Sequence, residues 1–309
     1  MKKDVFPEWL HFEVFHGCNA KCIMCPVHDS KRQKGPMNYD VFLEGLRQIS
    51  SWNLKGINLH GTGEPLLYSS LEKCIEQCKI TGIPVGFSTN AALLTKERAF
   101  TVIDANPNWV SVSFEAVESS TYESIRKGLK YNNVFNNIMN FIELRNSKNL
   151  NISISLRYEI HTGINDDQCN KFYQFFRKFL KSKLDEIQFF NILDWPKLDL
   201  NKKAKGNIPC NVLNRCFVLN DGTVPLCCLD YDATLNLGNV MEQSIIEIWN
   251  SPQLVKIRDL HQRGKRNQVK LCSFCNLPDV RNVLLRYNDF SQTKLSELEQ
   301  MINLSINTV

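Results

Sequence analysis

The segment Cys18-Asn19-Ala20-Lys21-Cys22-Ile23-Met24-Cys25-Pro26 places three cysteines at CxxxCxxC spacing. It follows directly on residues 9–15, an apolar and aromatic run that predicts a first β-strand. A compact loop with this spacing can direct three thiolates at one metal centre. A cubane iron–sulfur cluster is normally held by four cysteine thiolates, so three from one loop leave one iron open to a ligand that is not protein. The alternatives are a zinc site completed by His16 or His28, or buried structural thiols.

Length and composition narrow the class of protein. The chain has 309 residues, of which 43% are apolar and 22% charged, with a formal net charge of +5. These values predict one large domain, or a domain of about 200 residues with a smaller one, and exclude disorder along the whole chain. No stripe of basic and aromatic residues indicates nucleic-acid binding, and no apolar run approaches the roughly 20 residues that span a bilayer.

Cysteine usage indicates metal or redox chemistry. The start of the chain does not resemble a signal peptide, because Asp4, Glu8, His11 and Glu13 interrupt any apolar stretch. A cytoplasmic location is therefore expected, and structural disulfides are rare there. Twelve cysteines in such a chain favour metal ligation over disulfide bonding.

Six short apolar runs predict the strands of a mostly parallel α/β sheet. They lie at residues 9–15, 56–60, 83–88, 109–114, 152–158 and 186–191, with amphipathic helical patterns between them. Six strands are too few for a closed eight-stranded barrel. We therefore expect a partial (β/α)6 TIM-like barrel at 1–200, a small domain of a β-hairpin and a helix at 201–280, and a helical tail at 281–309.

The predicted small domain contains a second group of cysteines. Cys210, Cys216, Cys227, Cys228, Cys272 and Cys275 lie within 66 residues, and Asp221-Gly222 predicts a tight turn just before Cys227. A hairpin, a helix and a CxxC turn can bring thiolates together from distant segments. Spacing alone does not choose the metal, so zinc remains an alternative to iron and sulfide.

The first cysteine loop resembles the signature of the radical S-adenosylmethionine (SAM) superfamily. Residues 59–65, Leu-His-Gly-Thr-Gly-Glu-Pro, resemble its Gly-Gly-Glu-Pro motif, with Thr62 in place of a glycine. The resemblance implies a 4Fe-4S cluster on Cys18, Cys22 and Cys25 whose open iron binds the methionine part of SAM. Electron transfer then releases a 5′-deoxyadenosyl radical that abstracts hydrogen from the substrate. Gly63 and Glu64 would meet the methionine ammonium.

Two further strand ends fit the same resemblance. Asn90 and Ser113 lie where relatives contact the ribose and carboxylate of the cofactor. The family often has Ser-Leu-Asp-Gly where this chain has Ser-Phe-Glu-Ala from Ser113 onward, which leaves the role of Glu115 open. Arg126 follows at a typical position, and a surface salt bridge would explain it equally well.

The second cysteine group resembles the SPASM and Twitch extensions of radical SAM enzymes. A full SPASM extension uses about seven cysteines, and this region offers six. The resemblance therefore implies one auxiliary 4Fe-4S cluster, held by Cys210, Cys227, Cys272 and Cys275, with Cys216 or Cys228 as possible replacements.

A thiol left over by the clusters can serve another purpose. Cys228 is a candidate hydrogen donor to a substrate radical, or simply a small buried thiol. Cys74, Cys78 and Cys169 lie on apolar helix faces and are predicted to be core residues. His60 and His161, at predicted strand ends, either face the pocket or are ordinary satisfied polar groups.

The predicted function is oxidation, epimerisation or crosslinking of a ribosomally made peptide or of a small molecule. A sugar or aminocyclitol dehydrogenase and a non-catalytic zinc or iron–sulfur scaffold are the alternatives. No long region precedes the first strand, which favours a compact substrate. The resemblance also implies an electron donor of the flavodoxin or ferredoxin type.

Overall fold

A computed structural model describes residues 5–160, 166–181, 183–191, 208–275 and 282–286. The strands are β1 (Trp9–Phe12), β2 (Phe15–His16), β3 (Lys21–Cys22), β4 (Gly35–Pro36), β5 (Gly56–Asn58), β6 (Val85–Thr89), β7 (Trp109–Ser113), β8 (Arg126–Lys127), β9 (Ser153–Ile160), β10 (Glu186–Asn191), β11 (Arg215–Val218), β12 (Thr223–Pro225), β13 (Asn236–Asn239) and β14 (Asn282–Arg286). The α-helices are α1 (Tyr39–Ile49), α2 (Leu71–Ile80), α3 (Lys96–Ala105), α4 (Ser119–Ile125), α5 (Tyr131–Ser147), α6 (Asp166–Phe176), α7 (Ile245–Trp249) and α8 (Pro252–Gln262).

The chain forms two compact units. Unit 1 comprises Met1–Cys18, Cys25–Gly86 and Asp194–Asp279, and unit 2 comprises Asn19–Met24, Phe87–Leu193 and Val280–Val309. Strand β6 begins in unit 1 and continues in unit 2. The described residues 208–275 therefore cluster with the first strands of the chain. The division at residue 200 that the sequence suggests stays a prediction.

Parallel strands form the centre of unit 1. Strand β1 pairs with β11 on one side and with β5 on the other, and β5 pairs in turn with the start of β6. Leu10, Phe12, Ile57 and Val85 on these strands are completely buried, as expected for a parallel sheet covered on its faces. Strands β12 and β13 form a separate antiparallel pair that precedes helices α7 and α8.

Unit 2 repeats the parallel arrangement. Strand β9 lies between β7 and β10 and is parallel to both. Arg145 and Asp185 form a fully buried ion pair that also bonds the backbone at Ile152 and Ile154. The core beside it is aromatic and contains Phe114, Tyr122, Tyr158, Phe172, Phe176 and Phe189.

All six predicted strands are present in the predicted order. The sequence did not identify β11, a four-residue parallel strand from the second cysteine region that pairs with β1. The Asp221-Gly222 turn is present, with the Gly222 amide donating to the Leu219 carbonyl at 2.9 Å. The antiparallel pair that follows it, however, is β12 with β13.

The predicted helical tail at 281–309 is wrong at its start. Residues Asn282–Arg286 form strand β14, antiparallel to β10. Without this partner β10 would leave a row of backbone donors and acceptors unpaired along one edge, so strand pairing is preferred over a helix there. The predicted helical face of Leu295, Leu298 and Met301 lies outside the described residues. Within the described ranges, no helix has both the length and the apolar character needed to cross a membrane.

Candidate active site and iron–sulfur sites

The three cysteines of the first loop are placed by different local structures. Cys18 follows β2 and Gly17, Cys22 ends β3, and Cys25 precedes a 3-10 turn at Pro26–His28. Cys18 and Cys25 are half-buried, Cys22 is buried, and none of the three forms a disulfide. Cys18 and Cys25 belong to unit 1, whereas Cys22 belongs to unit 2.

His16 is poorly placed to complete a zinc site. It is fully buried, with Nδ1 3.0 Å from the carbonyl oxygen of Thr62 and Nε2 3.0 Å from Oγ of Ser30. Both ring nitrogens are therefore already engaged by protein groups. This arrangement removes His16 as a candidate fourth ligand of a zinc site.

Cys22 has a cationic partner that the sequence did not assign to it. In the β3–β8 ribbon Cys22 is paired with Arg126, and Nη1 of Arg126 lies 3.3 Å from Sγ of Cys22. Burial raises the pKa of the Cys22 thiol, and the charge of Arg126 opposes that effect. The arginine therefore favours the thiolate form that a metal requires.

Glu115 holds Arg126 in this position. Nε of Arg126 donates to Oε2 of Glu115 at 2.6 Å, and Nη2 donates to Oε1. The side chains of Arg126 and Glu115 are 11% and 1% exposed, so this is a buried pair and not a surface salt bridge. The sequence left the role of Glu115 open. In the structure, Glu115 positions Arg126.

The Gly61–Pro65 motif is fixed by close backbone contact. Gly63 forms a parallel bridge with Gly17, and the Glu64 amide donates to the Gly17 carbonyl at 2.9 Å. A Cβ atom on Gly63 would lie 2.0 Å from the carbonyl oxygen of Phe15. Only glycine permits this approach, which brings the motif against the residue that precedes Cys18.

Buried Glu13 and Arg32 support the same motif. Oε2 of Glu13 accepts the Thr62 amide at 2.9 Å, and Oε1 pairs with Arg32. The side chain of Arg32 is only 11% exposed, so it is not a solvated surface charge. Glu64 is buried, and its Oε1 accepts the Leu66 amide at 3.1 Å.

Asn90 and Ser113 both lie at strand ends of unit 2. Asn90 is buried directly after β6, and its Nδ2 donates to Oδ1 of Asn19 in the cysteine loop at 2.9 Å. Ser113 is the last residue of β7 and is half-buried. The Asn90–Asn19 bond, which the sequence did not predict, ties the third strand end to the first loop.

The second cysteine group surrounds a cavity in unit 1. About 420 Å³ of space lies within this cavity and its opening to solvent. Its wall includes all four predicted ligands, Cys210, Cys227, Cys272 and Cys275, and also Leu213, Leu226, Leu229, His261, Arg266 and Leu271. Cys216 and Cys228 are not part of the wall. The preferred ligand set thus lines one cavity, while Cys228, next to Cys227, is half-buried and within electrostatic range of Cys210 and Cys275.

The thiols that line the cavity need a bound metal to lose their protons. Burial raises the pKa of Cys227 and Cys210, and that of Cys272 to about 12, so their thiolates need a bound metal to be stable. Four thiols around an open space match a cubane.

The remaining predicted residues are placed as follows. Cys74, Cys78 and Cys169 are completely buried in the core, as predicted. Nδ1 of His60 lies 2.8 Å from Oδ1 of Asn58, and His161 lies outside the described residues. Cys216 is buried on β11, and burial raises its pKa to about 12.

Two sequence families match this chain. Residues 12–176 match the Radical SAM superfamily, and residues 210–276 match SPASM, an iron–sulfur cluster-binding domain. The first match covers more than half of the 309 residues.

Individual relatives differ in how much of their length is matched. The SAM-dependent 2-deoxy-scyllo-inosamine dehydrogenase of Niallia circulans is 24% identical over 88% of this chain and 94% of its own length. A tungsten-containing aldehyde ferredoxin oxidoreductase cofactor-modifying protein of Pyrococcus furiosus is 28% identical over 40% of this chain. The chain covers only 39% of the length of the Pyrococcus furiosus protein.

Solved structures support the predicted fold class. BtrN in complex with AdoMet and 2-DOIA has a TM-score of 0.62 at 21% identity, covering 89% of this chain and 94% of BtrN. Streptococcus suis SuiB bound to precursor peptide SuiA has a TM-score of 0.65 at 15% identity, covering 82% of this chain and 67% of SuiB. These likenesses confirm the partial-barrel α/β fold. The chain belongs to the radical SAM superfamily, carries a C-terminal SPASM iron–sulfur domain, and is a radical SAM enzyme that uses 4Fe-4S clusters and S-adenosylmethionine.

Proposed function

We propose that this enzyme catalyses the net oxidation of a hydroxyl group on a compact substrate such as an aminocyclitol. The observation that carries the proposal is the cavity lined by four of the six cysteines of this region, which supports one auxiliary cluster. Removing two hydrogens from a substrate requires an electron acceptor in addition to the hydrogen-abstracting group. A second cluster site answers that requirement.

In this proposal, seven cysteines hold the two clusters and four other residues bind SAM. Cys18, Cys22 and Cys25 hold the first cluster, and Cys210, Cys227, Cys272 and Cys275 hold the auxiliary cluster. Gly63, Glu64, Asn90 and Ser113 bind and orient SAM. When bound, the clusters and SAM supply one-electron transfer and hydrogen abstraction from an unactivated carbon.

The near end-to-end match to a dehydrogenase supports this reaction class. That relative aligns with 88% of this chain and 94% of its own length, which indicates a similar domain content. Its name identifies a hydroxyl-bearing small molecule as its substrate. We carry over the class of reaction, and we propose that the substrate here is also small and polar.

The test is anaerobic turnover with deuterium tracing. Reduced protein is incubated with SAM and 2-deoxy-scyllo-inosamine labelled at its carbinol carbons, beside a panel of polyols and amino sugars. We expect deuterium in 5′-deoxyadenosine and one ketone formed per 5′-deoxyadenosine. The Cys18→Ala variant is the control and should form neither product. If 5′-deoxyadenosine forms but carries no deuterium from any of the hydroxyl substrates, the proposal is excluded.

Peptide modification is the second candidate. It is supported by the likeness to SuiB, which was solved with a precursor peptide, although this chain spans 67% of that protein. The same assay with short peptides in D2O separates the two candidates. Solvent deuterium at a peptide Cα would indicate epimerisation, whereas a mass loss of two hydrogens would indicate a crosslink.

The proposal includes a cellular setting. We propose that the protein works in the reducing cytoplasm, where structural disulfides are rare and cysteines stay available to hold clusters. A one-electron donor of the flavodoxin or ferredoxin type would reduce the first cluster. Replacing dithionite with a reduced flavodoxin in the turnover assay tests this partner directly.

A further inference from the structure

A buried histidine lies on the wall of the auxiliary cavity. His261 is near the end of helix α8, is 3% exposed, and lines the same space as Cys210, Cys227, Cys272 and Cys275. Its Nδ1 accepts the backbone N–H of Cys210 at 3.3 Å. Its Nε2 is buried and has no hydrogen-bond partner among the residues that the structure describes.

The bond to Cys210 fixes which nitrogen carries the proton. Because Nδ1 accepts an N–H, it must carry a lone pair there, and in a neutral imidazole the proton then resides on Nε2. Nε2–H is thus a buried donor, and leaving such a donor unpaired is unfavourable.

We propose that Nε2–H of His261 donates a hydrogen bond to a sulfur of the auxiliary cluster. The inference rests on the proposed ligation of that cluster by the four cavity cysteines. The cluster would satisfy a donor that the described protein leaves without a partner. Direct coordination of iron by Nε2 is disfavoured, because it would require the proton on Nδ1, where the Cys210 amide already donates.

The consequence is a higher reduction potential for the auxiliary cluster. A hydrogen bond to a cluster sulfur stabilises the more negative, reduced state more than the oxidised state. Arg266 lies on the same wall, is 1% exposed, and its Nη1 donates to the Cys275 carbonyl at 3.2 Å. Its positive charge acts in the same direction as the His261 bond. Both residues therefore adapt this site to accept an electron.

The experiment compares two substitutions of His261 in the full-length, cluster-loaded protein. His261→Leu removes the donor, whereas His261→Gln keeps an N–H donor on a side chain of similar reach. The midpoint potential is read by EPR titration of the signal that does not change when SAM is added. We expect His261→Leu to lower the ratio of reduced to oxidised cluster about tenfold at a fixed potential, which is 59 mV for one electron. His261→Gln should recover at least half of that shift.

His11 provides a matched control in the same unit. It is also buried and both of its ring nitrogens lack partners among the described residues, but it stacks on Phe217 and does not line the cavity. His11→Leu should therefore leave the auxiliary potential unchanged. An unchanged potential in His261→Leu, or an equal shift in His11→Leu, would overturn the inference.

A measurement on unsubstituted protein covers the case in which His261→Leu fails to fold or to bind its cluster. Pulsed EPR on protein labelled with ¹⁵N-histidine should show a weak ¹⁵N coupling to the reduced auxiliary cluster. Either no coupling or the strong coupling of an Fe–N bond would contradict a hydrogen bond. If the Cys272→Ala variant still bound two clusters, the proposed ligation would be wrong. If the auxiliary cluster forms but its potential does not depend on His261, only this inference is removed.

Discussion

Nη1 of Arg126 lies 3.3 Å from Sγ of Cys22, while the other two nitrogens of its guanidinium are held by Glu115. The β3–β8 ribbon places the two residues directly opposite each other. Cys22 is a ligand of the first cluster in the proposed assignment, so Arg126 supplies a charged donor to that cluster. Because Glu115 neutralises the arginine, the pair contributes a directed hydrogen bond without a net charge.

Removing this donor should make the first cluster harder to reduce. In Arg126→Met the bond to Cys22 is lost and Glu115 is left buried beside the cluster as an unpaired anion, and both changes lower the potential. We expect a more negative midpoint for the SAM-responsive EPR signal. We also expect at least a tenfold slower release of 5′-deoxyadenosine.

A second buried pair separates this effect from simple destabilisation. Arg145 and Asp185 are fully buried in the same unit. They form hydrogen bonds with each other and with the backbone at Ile152 and Ile154, away from the cysteines of the first loop. Breaking either pair should reduce stability by about 3–5 kcal/mol. Arg145→Met should therefore lower the melting temperature as much as Arg126→Met while leaving the potential of folded molecules unchanged. Equal potentials in Arg126→Met and wild type would refute the role of Arg126.

The close contact between Gly63 and the Phe15 carbonyl predicts that even a small side chain at residue 63 will displace the local backbone. A Cβ atom at residue 63 would lie 2.0 Å from a backbone carbonyl, so Gly63→Ala must displace the motif that is proposed to bind the methionine ammonium. We expect affinity for SAM to fall at least tenfold with the iron content preserved. The measurement is equilibrium binding of SAM to the anaerobic protein.

Gly82→Ala is the control for this substitution. Gly82 has a positive φ, but nothing lies within 4 Å of the position that a Cβ atom would take there. The substitution should cost about 1 kcal/mol of backbone strain and leave SAM affinity unaltered. Comparable losses of affinity in the two variants would indicate that the Gly63 contact has no special importance.

The sequence predicted the parts of this protein that depend on local pattern. The CxxxCxxC loop and six apolar runs are contiguous, and each is recognisable from spacing alone. The four cysteines proposed for the auxiliary cluster line one cavity, and their role as ligands stays a prediction. Their convergence needed only a turn at Asp221-Gly222 and a CxxC motif.

The parts that escaped prediction depend on partners far apart in the chain. Glu115 reaches Arg126 across helix α4, and His261 lies 51 residues from Cys210. Strand β11 has only four residues, and its parallel pairing with β1 joins the two ends of unit 1. A buried polar residue gives no periodic signal, and its partner is set by the tertiary fold.

The buried core thiols predict a loss of stability at alkaline pH. Burial, together with the neighbouring Cys74, raises the pKa of Cys78 well above 9.0. A group whose pKa is higher in the folded state stabilises the fold below its unfolded pKa, and that contribution is lost as the pH rises above it. Each such thiol should cost about 1.4 kcal/mol per pH unit above pH 9.

Cys78→Ala isolates this contribution. The variant should be less stable at pH 8 because of the cavity it creates, yet its stability should decline less steeply between pH 9 and pH 10.5. Urea unfolding followed by tryptophan fluorescence under reducing, anaerobic conditions gives both slopes. Parallel declines for wild type and variant would show that Cys78 does not titrate on unfolding.

The two cysteines outside the cavity distinguish the two reaction classes. Net oxidation leaves no substrate radical to be quenched by a thiol, so Cys228→Ala should keep its iron content and its rate of product formation. Epimerisation would require a hydrogen donor, and loss of Cys228 would then abolish product while SAM cleavage continued. Cys216→Ala is the matched control, since Cys216 is buried on β11 and also lies outside the cavity. A loss of iron in Cys228→Ala, but not in Cys216→Ala, would instead place Cys228 among the ligands and revise the set of four.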